Sequence, residues 1–289
     1  MKKIGIIGTG TMGCGIAQVA SQIRCDVIFQ NRKQESVDKG LNRLKWGLDK
    51  LVSRDKLTQA QGEGIMSRIR GVVSLEELKE CDIVLESAPE DLEIKQELLE
   101  TLSGIVSDRC IIATNTSSLS VTKMASFVSR PERFVGMHFF NPVPLMSLVE
   151  VVSGLRTTNE TVAAVSEFAK ALGKTPIEVS DLPGFVVNRV LFPMINEAAF
   201  ALSEGVSDAE GIDACMKGGC NHPMGPLELA DLVGLDVVCA ILKSLYREYG
   251  NPRYAPCMEI IKRVEAGWLG RKSGRGFYDY GSENPVPTR

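Results

Sequence analysis

Two histidines occur in 289 residues, and one of them, His138, lies in the run Gly136-Met-His-Phe-Phe-Asn-Pro142. Upstream is a polar run, Thr114-Asn-Thr-Ser-Ser118. Downstream a single carboxylate, Glu150, stands among Leu148, Val149, Val151 and Val152. An imidazole, a hydroxyl and a partly buried carboxylate are the minimum parts for moving a proton on and off a substrate oxygen. Each has an ordinary structural role when taken alone: His138 as a core histidine, Ser117 as a helix cap, Glu150 as a member of a buried ion pair. Together with the signature that opens the chain, they point to a dehydrogenase.

That signature is Ile4-Gly-Ile-Ile-Gly-Thr-Gly-Thr-Met-Gly13, which holds Gly8-x-Gly10-x-x-Gly13 directly after a strand and at the start of a helix. The first glycine makes a tight turn, the second lets backbone approach a pyrophosphate, and the third lets helix and strand pack closely. The helix N-terminus adds N–H groups and a favourable dipole for phosphate. Gly8, Gly10, Thr11, Met12 and Gly13 are therefore candidate cofactor residues.

An NAD site usually places Asp or Glu about 20 residues beyond the glycines, on the ribose 2′-hydroxyl. Here that place reads Gln30-Asn31-Arg32-Lys33. No carboxylate repels a 2′-phosphate, Asn31 can bond ribose or phosphate, and Arg32 offers a planar fork of donors. The reading favours NADP(H); NAD(H) stays open if Arg32 and Lys33 are a solvated loop.

These residues need rigid elements to hold them. Short apolar runs at Lys3–Ile7, Val27–Phe29, Ile83–Glu86, Cys110–Ala113, Val135–His138 and Leu148–Val152 read as strands. Between them, helical periodicity covers Thr11–Gln22, Gln34–Leu51, Thr58–Arg68, Leu92–Leu102 and Val162–Leu172. Apolar strands alternating with helices predict a parallel, doubly wound sheet. After Asp181-Leu-Pro-Gly184 nearly every segment reads as helix. The expected class is α/β: a Rossmann-type doubly wound sheet with a helical-hairpin insertion over 1–184, and an all-helical domain over 185–289.

Composition narrows the function further. A net charge of −3 provides no basic field to recruit nucleic acid or a membrane surface. No apolar run reaches the roughly 18 residues of a membrane span. The chain enters a strand at once, so no signal peptide is expected. The eight cysteines are scattered, without a Cys-x-x-Cys pair, and read as reduced core thiols of a cytoplasmic protein. No cluster has metal-ligand spacing, so no metal is expected. His222 reads as a turn or helix-start residue.

Seven motifs occur in order: Gly8-Thr-Gly-Thr-Met-Gly13, Asn115-Thr-Ser-Ser118, His138-Phe-Phe-Asn-Pro142, Leu148-Val-Glu-Val151, Pro183-Gly-Phe-Val-Val-Asn-Arg189, His222-Pro-Met-Gly-Pro226 and Gly270-Arg-Lys-Ser-Gly-Arg-Gly-Phe-Tyr278. The chain resembles the 3-hydroxyacyl-CoA dehydrogenases, most closely the bacterial 3-hydroxybutyryl-CoA group, along essentially its whole length. The resemblance implies an S-specific enzyme with His138 as acid/base and Glu150 orienting it. It implies Ser117 and Asn188 as hydrogen-bond partners of the substrate oxygen, and Asn115 near the nicotinamide ribose. Glu90 and Lys95 match positions lining the cofactor cleft. Asn31 replaces the family's usual Asp, which puts the common NAD preference in doubt.

The resemblance also points to the helical hairpin as the CoA handle. Lys50 and Arg54, four residues apart, share one helix face if the helix runs that far. A homodimer through the helical domain is implied as well. The stripe Leu191, Met194, Ile195, Ala198, Ala199 and Leu202 could be its interface or internal core. The expected reaction is reduction of acetoacetyl-CoA to (S)-3-hydroxybutyryl-CoA. Alternatives are an NAD-linked β-oxidation enzyme, a dehydrogenase of a small free hydroxy acid, and a silent binding protein on the same fold.

Overall fold

The computed structural model describes residues 1–288. It divides into two compact units, Met1–Leu182 and Pro183–Arg289. The first unit runs β1 (Lys3–Ile7), α1 (Thr11–Gln22), β2 (Asp26–Gln30), α2 (Gln34–Ser53), α3 (Gln59–Met66), β3 (Ile69–Val72), β4 (Ile83–Glu86), α4 (Leu92–Ser103), β5 (Ile111–Thr114), α5 (Val121–Ala125), β6 (Phe134–Phe139), β7 (Leu148–Ser153), α6 (Asn159–Ala171) and β8 (Thr175–Ser180). The strands form one sheet in the order β3-β2-β1-β4-β5-β6-β7-β8.

The inner strands are continuous apolar runs because helices cover both faces of the sheet. Ile4, Ile6, Phe29, Ile83, Leu85 and Met137 are among the buried core residues. The hairpin made by α2 and α3 buries Val37, Leu44 and Leu48 on one face of its long arm. Its second arm starts at a capping box, with Thr58 accepting from the Gln61 N–H and the Gln61 side chain accepting from the Thr58 N–H.

Three features differ from the sequence expectation. The sheet is parallel only from β3 to β6: β7 runs antiparallel to β6, and β8 runs parallel to β7. The apolar run at 148–152 shows that a strand is buried but carries no sign of its direction. β3 and β8 were not anticipated. Ile-Arg-Gly-Val is too short and too polar to signal a strand, and β8 is an edge strand with only Val179 buried. Third, α2 stops at Ser53 and Arg54 is its cap. Lys50 and Arg54 therefore do not share a helix face. Lys50 instead lies over the Trp46 ring, 3.6 Å from its centre.

The second unit contains α7 (Val187–Ser203), α8 (Ala209–Cys220), α9 (Pro226–Val233), α10 (Leu235–Tyr249) and α11 (Met258–Glu265). To these helices it adds a small antiparallel pair, β9 (Tyr278–Asp279) and β10 (Val286–Pro287). Ile195, Ala198 and Ala199 are buried in its core with Phe192, Leu227 and Leu242. The central part of the apolar stripe on α7 is thus internal packing. Two buried carboxylates organise the last two sequence motifs. Asp213 accepts from the first N–H groups of α9, Leu227 at 2.8 Å and Glu228 at 2.9 Å, and from the Tyr278 hydroxyl at 2.7 Å. Asp231 accepts from the N–H groups of Phe277 and Tyr278, both at 2.9 Å, and from the Tyr280 hydroxyl at 3.1 Å. His222 follows the left-handed cap Asn221, its N–H reaching the Met216 carbonyl at 3.3 Å, so it is a turn residue.

Candidate active site

Ligand crevices in such sheets lie beyond the carboxyl ends of the strands, where strand order reverses. Here β1 is flanked by β2 and β4, and the turn after β1 carries the glycines. Gly8 has φ +101°, and a side chain there would meet the Ser87 carbonyl oxygen at 2.2 Å. A side chain at Gly13 would lie 1.9 Å from the Gly8 carbonyl oxygen. A Cβ at Gly10, by contrast, meets no atom of the described residues within 4 Å. Two glycines are required by packing, and the third leaves an open approach to the start of α1. Gly10 caps α1 without a side chain, followed by Thr11, Met12 and Gly13 in the first turn.

A cavity of about 530 Å³ adjoins this turn, lined by Gly8, Asn31, Arg32, Ala88, Glu97 and Leu98 among others. The Asn31 amide donates to Thr9 Oγ1 at 3.1 Å. Arg32 lies at the rim, 3.4 Å from Glu97, both side chains well exposed. The cavity's apolar walls and its neutral Asn31 suit the adenosine end of a dinucleotide.

At the other end of the site, His138 and Glu150 face each other directly across the antiparallel pair β6–β7. Directly opposed residues project from the same face of the sheet. His138 Nδ1 stands 2.7 Å from Glu150 Oε2, and both side chains are buried. An ionised carboxylate only accepts, so beside an ionised Glu150 the hydrogen sits on Nδ1. The Phe140 ring packs beside the imidazole, centres 4.5 Å apart. Asn115, just beyond β5, accepts from the Phe139 N–H at 2.8 Å and so ties the loop after β5 to the end of β6.

Ser117 lies in that same loop, which is held by Glu90. One Glu90 oxygen accepts from the N–H groups of Ser117 and Ser118 at 2.9 and 3.0 Å, and from the Thr116 hydroxyl at 2.5 Å. Burial pushes the Glu90 pKa up, but the Lys95 charge and these hydrogen bonds outweigh it, leaving the carboxyl below its ordinary range. Lys95 is fully buried, paired with Glu86 at 2.6 Å and with Glu90 at 3.5 Å. Asn188 occupies the first turn of α7 in the second unit and is buried.

The model of the 3-hydroxyacyl-CoA dehydrogenase NAD-binding domain matches residues 3–182, and that of the C-terminal domain of the same enzymes matches residues 184–280. The chain belongs to the 3-hydroxyacyl-CoA dehydrogenase family. Its relatives in that family include a 3-hydroxybutyryl-CoA dehydrogenase of Bradyrhizobium diazoefficiens, 45% identical over 100% of this chain and 99% of the relative. One from Clostridioides difficile is 47% identical over 96% of this chain and 99% of its own. The crystal structure of (S)-3-hydroxybutyryl-CoA dehydrogenase from Ralstonia eutropha superposes with a TM-score of 0.94 at 48% identity, covering 98% of this chain and all of that one. The nucleotide site therefore serves a nicotinamide cofactor, consistent with the open Gly10 turn and the adjoining cavity.

Within this family site, reasoning from sequence passed over Glu86 and Thr114. Glu86 ends the apolar run Ile83-Val-Leu-Glu86. That is the same signal, a lone carboxylate among β-branched and aliphatic residues, that singled out Glu150. Thr114 opens the polar run Thr114-Asn-Thr-Ser-Ser118, with nothing in its spacing to set it apart.

Proposed function

We propose that the chain interconverts short 3-ketoacyl-CoA and 3-hydroxyacyl-CoA thioesters with NADP(H), reducing acetoacetyl-CoA to (S)-3-hydroxybutyryl-CoA. The observation that carries the reading is the buried His138–Glu150 pair at 2.7 Å, in a fold that also presents a dinucleotide turn. The relatives named above are the support for the acyl-CoA substrate.

The nicotinamide supplies the hydride at C3. His138 Nε2 delivers the proton to the C3 oxygen in reduction and removes it in oxidation. Glu150 fixes the ring orientation and stabilises the imidazolium. Ser117 and Asn188 donate to the oxygen as negative charge develops there. Lys50, in the last turn of α2, and Arg54, its cap, contact the CoA phosphates from the end of the hairpin. Asn115, Glu90 and Lys95 serve the cofactor side of the cleft. The enzyme works as a cytoplasmic homodimer, for which Val190, Leu232 and Met258 supply exposed apolar surface on the helical unit.

The absence of an acid at position 31 favours NADP(H), since Asn31 does not repel a 2′-phosphate and Arg32 can receive it. One observation favours an NAD-linked reading instead: Glu97 already partners Arg32 and would oppose a second phosphate. Initial rates of acetoacetyl-CoA reduction with NADPH and NADH at matched concentrations decide between them. The expected kcat/KM favours NADPH by roughly tenfold or more, and Asn31→Asp reverses the preference by placing like charges together. An NADH preference in the parent enzyme would leave the NAD-linked reading standing. Absence of turnover with both cofactors would remove acetoacetyl-CoA as the substrate.

A further inference from the structure

Glu86 ends β4 with its carboxylate fully buried. A buried carboxylate persists only where cations and donors compensate it. Lys95 Nζ donates to both of its oxygens, at 2.6 and 2.8 Å. The Thr114 hydroxyl adds a bond of 2.7 Å, and the Ala88 N–H one of 2.5 Å. Glu86 and Thr114 are in register on neighbouring strands. Lys95, equally buried, reaches on to the second oxygen of Glu90 at the looser distance of 3.5 Å. The first oxygen of Glu90 is the one that holds the backbone of Ser117 and Ser118. Two carboxylates bridged by one ammonium thus connect the end of β4 to the loop that carries Ser117.

A buried ion pair is weak evidence of a stabilising role, because an apolar residue in its place is often as stable or more so. The asymmetry of the two contacts is informative. Lys95 is held firmly by Glu86 and loosely by Glu90. Without the negative charge at position 86, the nearest anion for a buried Lys95 is Glu90, and the flexible lysine stem allows it to move there. We propose that Glu86 is a positioning residue: its charge retains Lys95, which leaves Glu90 free to hold the Ser117 loop in its working position. The inference rests on the reading of Ser117 as a donor to the substrate oxygen.

Charge can be separated from shape by comparing Glu86→Gln with Glu86→Asp. Gln matches the space and lacks the charge; Asp keeps the charge and is shorter, and Lys95 can follow it. If Glu86 acts through charge, E86D retains kcat within about threefold. E86Q then loses roughly tenfold or more, a part of what removing an oxyanion donor costs, with KM for acetoacetyl-CoA within about threefold. Parent-like kcat in E86Q, or Gln outperforming Asp, overturns the proposal in favour of space filling. Thr114→Val removes a hydrogen bond to Glu86 and keeps every charge, so Lys95 stays on Glu86 and kcat is expected within about twofold of the parent. A loss of roughly tenfold or more in Thr114→Val overturns the proposal, and this readout stands even where neither Glu86 variant folds.

A crystal structure of E86Q gives a readout without substrate. Lys95 closing to about 3 Å from Glu90, with the Ser117 N–H released, supports the proposal; unchanged Glu90–Ser117 bonding overturns it. If the parent enzyme fails to turn over acetoacetyl-CoA, the substrate reading falls while this structural readout still decides the role of Glu86.

Discussion

In the proposed reaction the two nitrogens of His138 have different tasks. Nδ1 is committed to a buried carboxylate at 2.7 Å, so the ring is held in one orientation and one tautomer whenever Glu150 is ionised. A side chain of similar size that cannot carry a proton should therefore abolish turnover without disturbing the fold. For His138→Gln we expect kcat to fall roughly a thousandfold, within the range of acid–base contributions, with dinucleotide affinity unchanged. Stopped assays and cofactor fluorescence titration measure the two effects. Comparable losses in both would place His138 in cofactor binding and remove it from proton transfer. At this scale much of the site was legible: His138 and Glu150 stand out as isolated polar residues in apolar strands. Only the resemblance puts Lys95 in the cleft. Its burial between Glu86 and Glu90 could not be read, since in sequence it is one lysine on a helix rich in charges.

The helical unit shows how one buried carboxylate can organise an element with little regular structure. The stretch from Gly270 to Tyr280 contains only a short 3₁₀ turn and one strand of two residues, yet Asp231 on α9 anchors it through three donors. Burial pushes the Asp231 pKa up, opposed by those same donors, and the net shift is upward. Asp231→Asn replaces one accepting oxygen with a donor, leaving one of the three groups unsatisfied. The expected cost is about 2 kcal/mol, the usual penalty for a buried unpaired donor. It should appear as a lower midpoint for the helical unit in calorimetry, and an unchanged midpoint would refute the anchoring role. Helices with long apolar periodicity, such as α2 and α7, were legible because periodicity depends on local spacing alone. β3, β8 and the direction of β7 were not, because edge strands and strand polarity are settled by neighbours distant in sequence.

Across the whole molecule, the eight cysteines report how deeply the core is closed. All are free thiols, and six are buried, with Cys215 and Cys220 exposed on α8. The expectation that all serve as core thiols therefore holds for six. Burial pushes Cys81 up to about 11 and Cys110 up to about 12, so these stay protonated at neutral pH. A thiol reagent at pH 8 should modify two cysteines quickly in the native protein and all eight after denaturation. Rapid modification of more than two in the native state would contradict the burial described for the sheet and the helical core. Among the described residues no helix is long and apolar enough to cross a membrane.

The reversal of direction at β7 has a consequence for folding as well as for chemistry. His138 and Glu150 meet because they are paired across two strands, 12 positions apart in the chain. If β7 zipped onto β6 one residue out of step, every side chain on it would turn to the opposite face. Glu150 would then leave the imidazole while the valines beside it left the core. The same misalignment would cost stability and silence the histidine together. If His138 carries the proposed proton transfer, turnover doubles as a quality check on the sheet, because a slipped β7 leaves a molecule both less stable and inert.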